Sequence, residues 1–239
     1  MNFNSFKVII VALLTTSSAL AQDGIFSKLQ YGARLGATVS NFSNEQPHTS
    51  AKLGFMVGGI VEYSFSDKLS LQAEPSYLQQ GGRFVRFSDD TRFGQFGGNN
   101  LYTTNSEVTV HTLDLPLLAK YQLPKFGDIQ PNVVLGPAIG YTLGAENSYQ
   151  TTYYNNQTFT TANAYRLEKS QYEPFQFGVT GGFGGEVSLG EGRLKRLMID
   201  FRYRYGVTPV KKSYSYIDIF SVQGDLRTHS AYVTIGIGL

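Results

Sequence analysis

The stretch Leu197-Met198-Ile199-Asp200-Phe201-Arg202-Tyr203-Arg204-Tyr205 decides the fold of this 239-residue chain. Leu197, Ile199, Phe201, Tyr203 and Tyr205 are apolar or aromatic, and Asp200, Arg202 and Arg204 alternate with them. Successive side chains of a strand point to opposite faces, so this strand has an oily face and a charged face.

The same period of two recurs along the chain. Leu29–Ser40 sets Leu29, Tyr31, Ala33, Leu35, Ala37 and Val39 against Gln30, Gly32, Arg34, Gly36 and Thr38. Lys52–Phe65 sets Leu53, Phe55, Val57, Val61, Tyr63 and Phe65 against Lys52, Gly54, Met56, Gly58, Glu62 and Ser64. Leu69–Gln80 turns Leu71, Ala73 and Tyr77 one way and Gln72, Glu74 and Ser76 the other. A fourth strand ends in Leu113–Tyr121, with Asp114 and Lys120 opposite its leucines. Ile129–Leu143, Phe175–Leu189 (with Glu186 on the polar face), Leu197–Val207 and the C-terminal Ala231–Leu239 complete eight strands.

The connections alternate in length. Ser66–Lys68, Pro124–Asp128 and Gly190–Arg196 are short, whereas the links after strands one, three, five and seven are longer and polar. The largest run from about Gly81 to Ser106 and from about Ala145 to Gln171. Outer-membrane barrels keep short turns on the periplasmic side and long loops outside, so the parity predicts an eight-stranded antiparallel transmembrane β-barrel, an up-and-down meander. A soluble sandwich or lipocalin-like barrel also has period-two strands, but it needs no such parity. The glycine-rich polar face favours the membrane barrel, because small residues fit a narrow lumen while they weaken ordinary strands. Tyr31, Tyr63, Phe65 and Tyr121 fall near the periplasmic end of the oily face and Tyr77, Tyr141, Phe175 and Tyr205 near the outer end, as two interfacial girdles require.

The first 21 residues read as a signal peptide. Lys7 supplies the positive charge, Val8–Leu14 the apolar stretch, and Ala19 and Ala21 the small residues before a cleavage site. The apolar part is too short to span a bilayer as a helix. The mature domain is then residues 22–239, exported to the cell outer membrane. No Cys is present, which excludes disulfides, thiolate metal sites and lipid attachment through Cys. A net charge of +2 argues against a nucleic-acid partner. Beyond the leader no segment approaches the ~20 apolar residues of a membrane helix.

The blocks Tyr31-Gly32-Ala33-Arg34-Leu35-Gly36 with Ser40-Asn41, the more specific Leu113-Asp114-Leu115-Pro116-Leu117-Leu118-Ala119-Lys120-Tyr121, Gly136-Pro137-Ala138-Ile139-Gly140-Tyr141, and Phe201-Arg202-Tyr203-Arg204-Tyr205-Gly206 stand out. Together they resemble the outer-membrane barrel family of Bacteroidetes-type bacteria called PorT-like. The resemblance covers nearly the whole mature chain. It departs at Leu239, where barrel C-termini usually carry an aromatic. It implies the barrel and little about activity; the secretion role of the namesake is not carried over.

The inner face carries Arg34, Glu62, Glu74, Asp114, Lys120, Glu186, Asp200, Arg202 and Arg204. Buried charges must be paired or hydrated, so this set reads as a lumen charge network, either a plug that fixes register or the lining of a narrow ion or solute pore. His48, His111 and His229 have no metal-ligand spacing, and no metal site or cofactor is expected. Asp225, His229 and Ser230 suggest a rim hydrolase, but adjacent strand residues face opposite ways. Gly178–Gly185 lacks the Lys-Ser/Thr ending of a phosphate loop. The long links carry Phe84, Phe87, Phe93, Phe96, Tyr102, Tyr149, Tyr153, Tyr154, Phe159 and Tyr165 among polar residues, chemistry that suits either a contact surface or strands extended beyond the membrane. The expected function is that of a non-enzymatic outer-membrane barrel with a structural or extracellular-contact role. Its expected partners are outer-membrane lipid, the barrel-assembly machinery and an extracellular or envelope protein.

Overall fold

The computed structural model describes residues 28–43, 49–90, 100–155, 158–168, 171–190, 194–211, 216–217, 220–221 and 226–239. The leader 1–21, His48, Phe93, Phe96 and Asp225 lie outside them. Eight strands form the barrel wall. They are β1 (Leu29–Ser43), β2 (Lys52–Ser64), β3 (Leu69–Ala73 continued by Ser76–Asp90), β4 (Asn100–Gln122), β5 (Ile129–Asn155), β6 (Phe175–Ser188), β7 (Arg196–Gly206) and β8 (Arg227–Gly238). Each pairs antiparallel with its sequence neighbours. The ring closes where β1 meets β8, from Gly32 opposite Gly238 to Ser43 opposite Arg227. It is the expected eight-stranded antiparallel meander.

The alternation sorts side chains as the sequence demands. Leu35, Phe55, Leu115, Leu135, Phe177, Ile199 and Ile235 are among the large apolar residues left exposed on the outer surface. Arg34, Glu62, Glu74, Asp114, Lys120, Arg202 and Arg204 are buried inside. A soluble protein does not expose that much contiguous apolar surface. A barrel in hydrocarbon must.

Local chemistry sets the breaks. β3 is interrupted at Glu74-Pro75, because proline has no N–H for the ladder. Gly59 N–H there bonds the Pro75 carbonyl at 2.9 Å, which keeps the sheet closed. At the periplasmic end, Ser66 Oγ accepts the Leu69 N–H at 3.2 Å. Gly127, at φ 60°, supplies the left-handed residue of the second turn.

The two longest outer connections take one of the two forms open to them from the sequence, strands extended beyond the membrane. Gly81–Ser106 and Ala145–Gln171 are largely strand rather than loop. β3 and β4 stay paired as far as Asp90 opposite Asn100. β5 runs 27 residues, and a further strand, Thr158–Glu168, returns along it from Thr158 opposite Asn155 to Glu168 opposite Ala145. At about 3.3 Å per residue β5 is about 90 Å long, whereas a tilted crossing needs only about 9–11 residues. Along the extension the apolar/polar alternation of the sequence fades. The β-favouring residues remain: Thr103, Thr104, Thr151, Thr152, Tyr153, Tyr154, Thr160 and Thr161. The extension leaves the wall at a bulge between His111 and Thr112, where β5 carries the extra residue Leu143.

The inner-face glycines make room for the lumen charges. A Cβ on Gly182 would stand 2.8 Å from Arg202 Cγ, and one on Gly184 would collide with the Asp200 carboxylate. Gly184→Ala is therefore expected to cost about 1–3 kcal/mol. Urea unfolding in detergent, read by the heat-modifiable gel shift of the barrel, checks it. A variant as stable as the parent would show that the lumen has slack.

Candidate functional site: the barrel lumen

The lumen is built in layers, because inward residues of neighbouring strands come to one height when their registers match. Nearest the periplasm, Lys120 of β4 reaches Glu62 of β2 at 3.1 Å and also contacts Glu186 of β6. Arg196 of β7 joins the same two carboxylates, at 3.2 Å to Glu62 and 2.9 Å to Glu186. Ser70 Oγ donates to the other Glu62 oxygen at 2.7 Å.

The middle layer centres on Glu74. It accepts Arg34 at 3.0 Å and Arg202 through both oxygens at 2.7 Å. Asp200 stands 3.3 Å from Arg34 and 3.6 Å from Arg202. Gln72 Nε2 adds a bond to Glu74 at 2.6 Å. One layer further out, Arg204 Nε spans both oxygens of Asp114 at 3.1 and 3.2 Å, and its Nη2 lies 3.0 Å from Oδ1. Arg202 and Arg204 are 1% and 0% exposed. At that burial an unpaired guanidinium would cost several kcal/mol, so the pairing is what makes the interior tenable.

All nine residues read from the sequence face the lumen. Sequence reading missed Arg196, which it left in the short link before β7. The parity of Asp200, Arg202 and Arg204, followed two steps further back, points Arg196 inward as well. With it, the three layers hold the cations Arg34, Lys120, Arg196, Arg202 and Arg204 against the anions Glu62, Glu74, Asp114, Glu186 and Asp200. The set is neutral.

Above the charges the outer mouth holds an apolar cluster, with buried Lys211 and Asn147 against its Tyr172. Phe42, Val108, Val110, Ala145, Tyr172, Val210 and Leu226 form one buried cluster, with Phe84 packed against it and stacked on Phe42 at 5.6 Å. Tyr172 and Val210 come from the links after β5 and β7, tied by Glu173 N–H to Val210 O at 3.0 Å and Val210 N–H to Leu226 O at 2.7 Å. Of the long-link aromatics, Phe84 thus belongs to this seal. Phe87, Tyr102, Tyr149, Tyr153, Tyr154, Phe159 and Tyr165 lie at strand positions of the extension.

The other sequence candidates do not assemble. His229 lies beside Tyr203 and Tyr205 on the outer surface, with Tyr203 Oη 3.2 Å from its Nδ1. Ser230 is buried inside, its Oγ donating to Gln80 Oε1 at 3.5 Å. His111 bridges Tyr77 and Glu146, on β3 and β5, at the bulge. No group of three metal-binding side chains occurs among the described residues.

The family model described as "outer membrane protein beta-barrel domain" matches residues 18–212. This chain belongs to that family. Members are outer-membrane proteins, and the oily exterior and inward charges are what that location requires. Among solved structures the chain is similar to Ail of Yersinia pestis, at 11% identity over 89% of this chain and 99% of that one, with a TM-score of 0.37. It is similar to OprG from Pseudomonas aeruginosa at 15% identity over 88% and 95%, with a TM-score of 0.42. The Neisserial surface protein NspA stands at 10% identity over 87% and 96%, with a TM-score of 0.35. No curated protein sequence matches the chain.

Two predictions follow the geometry. Glu74→Gln leaves Arg34 and Arg202 with only Asp200, and is expected to lower unfolding stability by about 3–5 kcal/mol. Adding Arg202→Met is expected to return part of that loss, a non-additivity that urea titration of the two single variants and the double variant measures. At the outer rim, Glu107 lies beyond the bulge, outside the membrane. It bonds Arg83 at 2.8 Å and pairs with Lys52 at 2.9 Å. The hydrogen bond from Lys52, with that from Arg83, holds its carboxyl below the ordinary value. A lowered folded-state value gives stability that is present above the unfolded pKa and lost as pH falls through the folded one. Glu107→Gln should therefore be slightly less stable than the parent at pH 7 and equal to it in acid, by the same titration.

Proposed function

We propose that this outer-membrane barrel is a closed, non-enzymatic body that acts through the sheet it raises outside the cell. The observation that carries the reading is the filled lumen. Ten paired charges of zero net sign crowd the lumen, and an apolar cluster lies at the outer mouth. An eight-stranded barrel is only wide enough for its own side chains, so this interior favours a plug over a pore. The rim pair His229 and Ser230 points to opposite sides of the wall, which gives a hydrolase no nucleophile and base in reach of one another.

What remains available for specific work is the outer sheet made by the far ends of β3, β4 and β5 with the return strand Thr158–Glu168. Its sequence is rich in threonine, asparagine and tyrosine, a composition suited to contact with an extracellular or envelope protein partner. On this reading the leader is removed after Ala21, the barrel-assembly machinery inserts the chain, and outer-membrane lipid surrounds it. The Leu113–Tyr121 block supports a place in the PorT-like group.

The test is planar-bilayer recording with the full-length protein. Silence is expected for the parent, and steady ohmic steps that change in Arg202→Met or Arg204→Met would replace the plug with a pore. On intact cells, protease should cut the outer sheet and leave the barrel.

A further inference from the structure

At the periplasmic end the barrel opens into a cavity of 620 Å³ between the β2–β3 turn, the start of β1, the end of β4 and the start of β5. Its volume is that of a small-molecule or oligomer subsite. Its inner limit is defined. Ser70 lines it and bonds Glu62, which belongs to the quartet with Lys120, Glu186 and Arg196. Arg196, at 16% side-chain exposure, is the most open member of that quartet. The cavity is a cup that backs, through Ser70, onto this charged layer, which is its floor if the lumen is plugged as proposed above. A molecule entering from the periplasm stops there, so the cup is suited to holding a ligand and not to passing one.

The lining indicates what it would hold. Gln30, Gln122 and Gln130 are amides that both donate and accept, and Ser64, Ser66 and Ser70 are hydroxyls. Such groups match the hydroxyl and acetamido groups of a sugar. Lys28 and Lys68 outnumber Asp67, so the charge at the mouth favours a ligand carrying carboxylate. The lining has no carboxylate cluster for a metal.

We infer that this cup is a binding site for an N-acetylated glycan bearing short acidic peptides, the chemistry of the wall polymer that faces the periplasmic side of an outer membrane. The site would tether the membrane to the wall. It is independent of whether the outer sheet has a partner, and it uses the closed lumen only as a floor.

The experiment uses the full-length protein in lipid nanodiscs and titrates three probes by calorimetry. They are a muramyl disaccharide carrying its short peptide, chitotetraose with acetamido groups and no carboxylate, and maltotetraose with neither. Saturable binding is expected in that order, with none for maltotetraose. Lys68→Ala with Gln122→Ala should weaken the muramyl probe at least tenfold while the heat-modifiable gel shift stays intact. Three results would each overturn the site: no saturable muramyl binding, equal binding of maltotetraose, or full affinity in the folded Lys68/Gln122 double variant. Muramyl binding that a free tetrapeptide of the same sequence reproduces would overturn the glycan assignment. Failure here leaves a silent bilayer recording untouched, and a conducting barrel would not by itself remove binding at the cup.

Discussion

A peptide N–H or C=O left without a partner in hydrocarbon costs several kcal/mol, and the rest of this structure depends on avoiding that cost. Strands solve it only as a closed ring, so β1 has to find β8 across the length of the chain. Closure with eight strands gives a narrow interior, and the inward residues of every strand then share one confined space. Glycine on the inner face follows from that confinement, most plainly at Gly182 and Gly184, where any side chain would meet Arg202 or Asp200.

The second consequence is electrostatic. Ten charges enter a space with little room for water. Each would be prohibitive alone, and their arrangement offsets part of the penalty by contact and by neutrality. Glu74 sits between two arginines, Lys120 between two glutamates, and Arg204 spans Asp114. Such pairs are directional, since the wrong register would separate them and strand both partners. The network therefore selects one pairing of the strands as well as filling the lumen. It also separates the two ends of the molecule: a polar cup below and an apolar seal above.

Beyond the bilayer the constraint lapses. Backbone groups can bond water, a sheet may have edges, and the wall no longer has to close. The structure changes character at the His111–Thr112 bulge, where β4 and β5 leave the ring and continue as an open sheet with Thr158–Glu168 alongside. The lipid-facing strands are constrained by their surroundings, while the outer sheet and the periplasmic rim are free to carry recognition.

The amino-acid sequence by itself determined which residues face lipid and which face the lumen, how many strands cross, and on which side the short turns lie. Those properties are local: period-two alternation and the chemistry of turns need no distant partner. It could not show that the outer links are strand, because outside the membrane the alternation that marks a strand is lost even though Thr151, Thr152, Tyr153 and Tyr154 keep their β-preference. It placed the lumen charges but not their pairing. Glu74 and Arg202 lie 128 residues apart, and only ring closure and register bring them to one height. Arg196 fell at a boundary between turn and strand, where one residue of extension decides which way a side chain points. The cup at the periplasmic mouth joins residues from five strands, and no stretch of sequence contains it. Tertiary structure decided these things because a contact between distant strands exists only once the backbone's need for hydrogen bonds has closed the barrel.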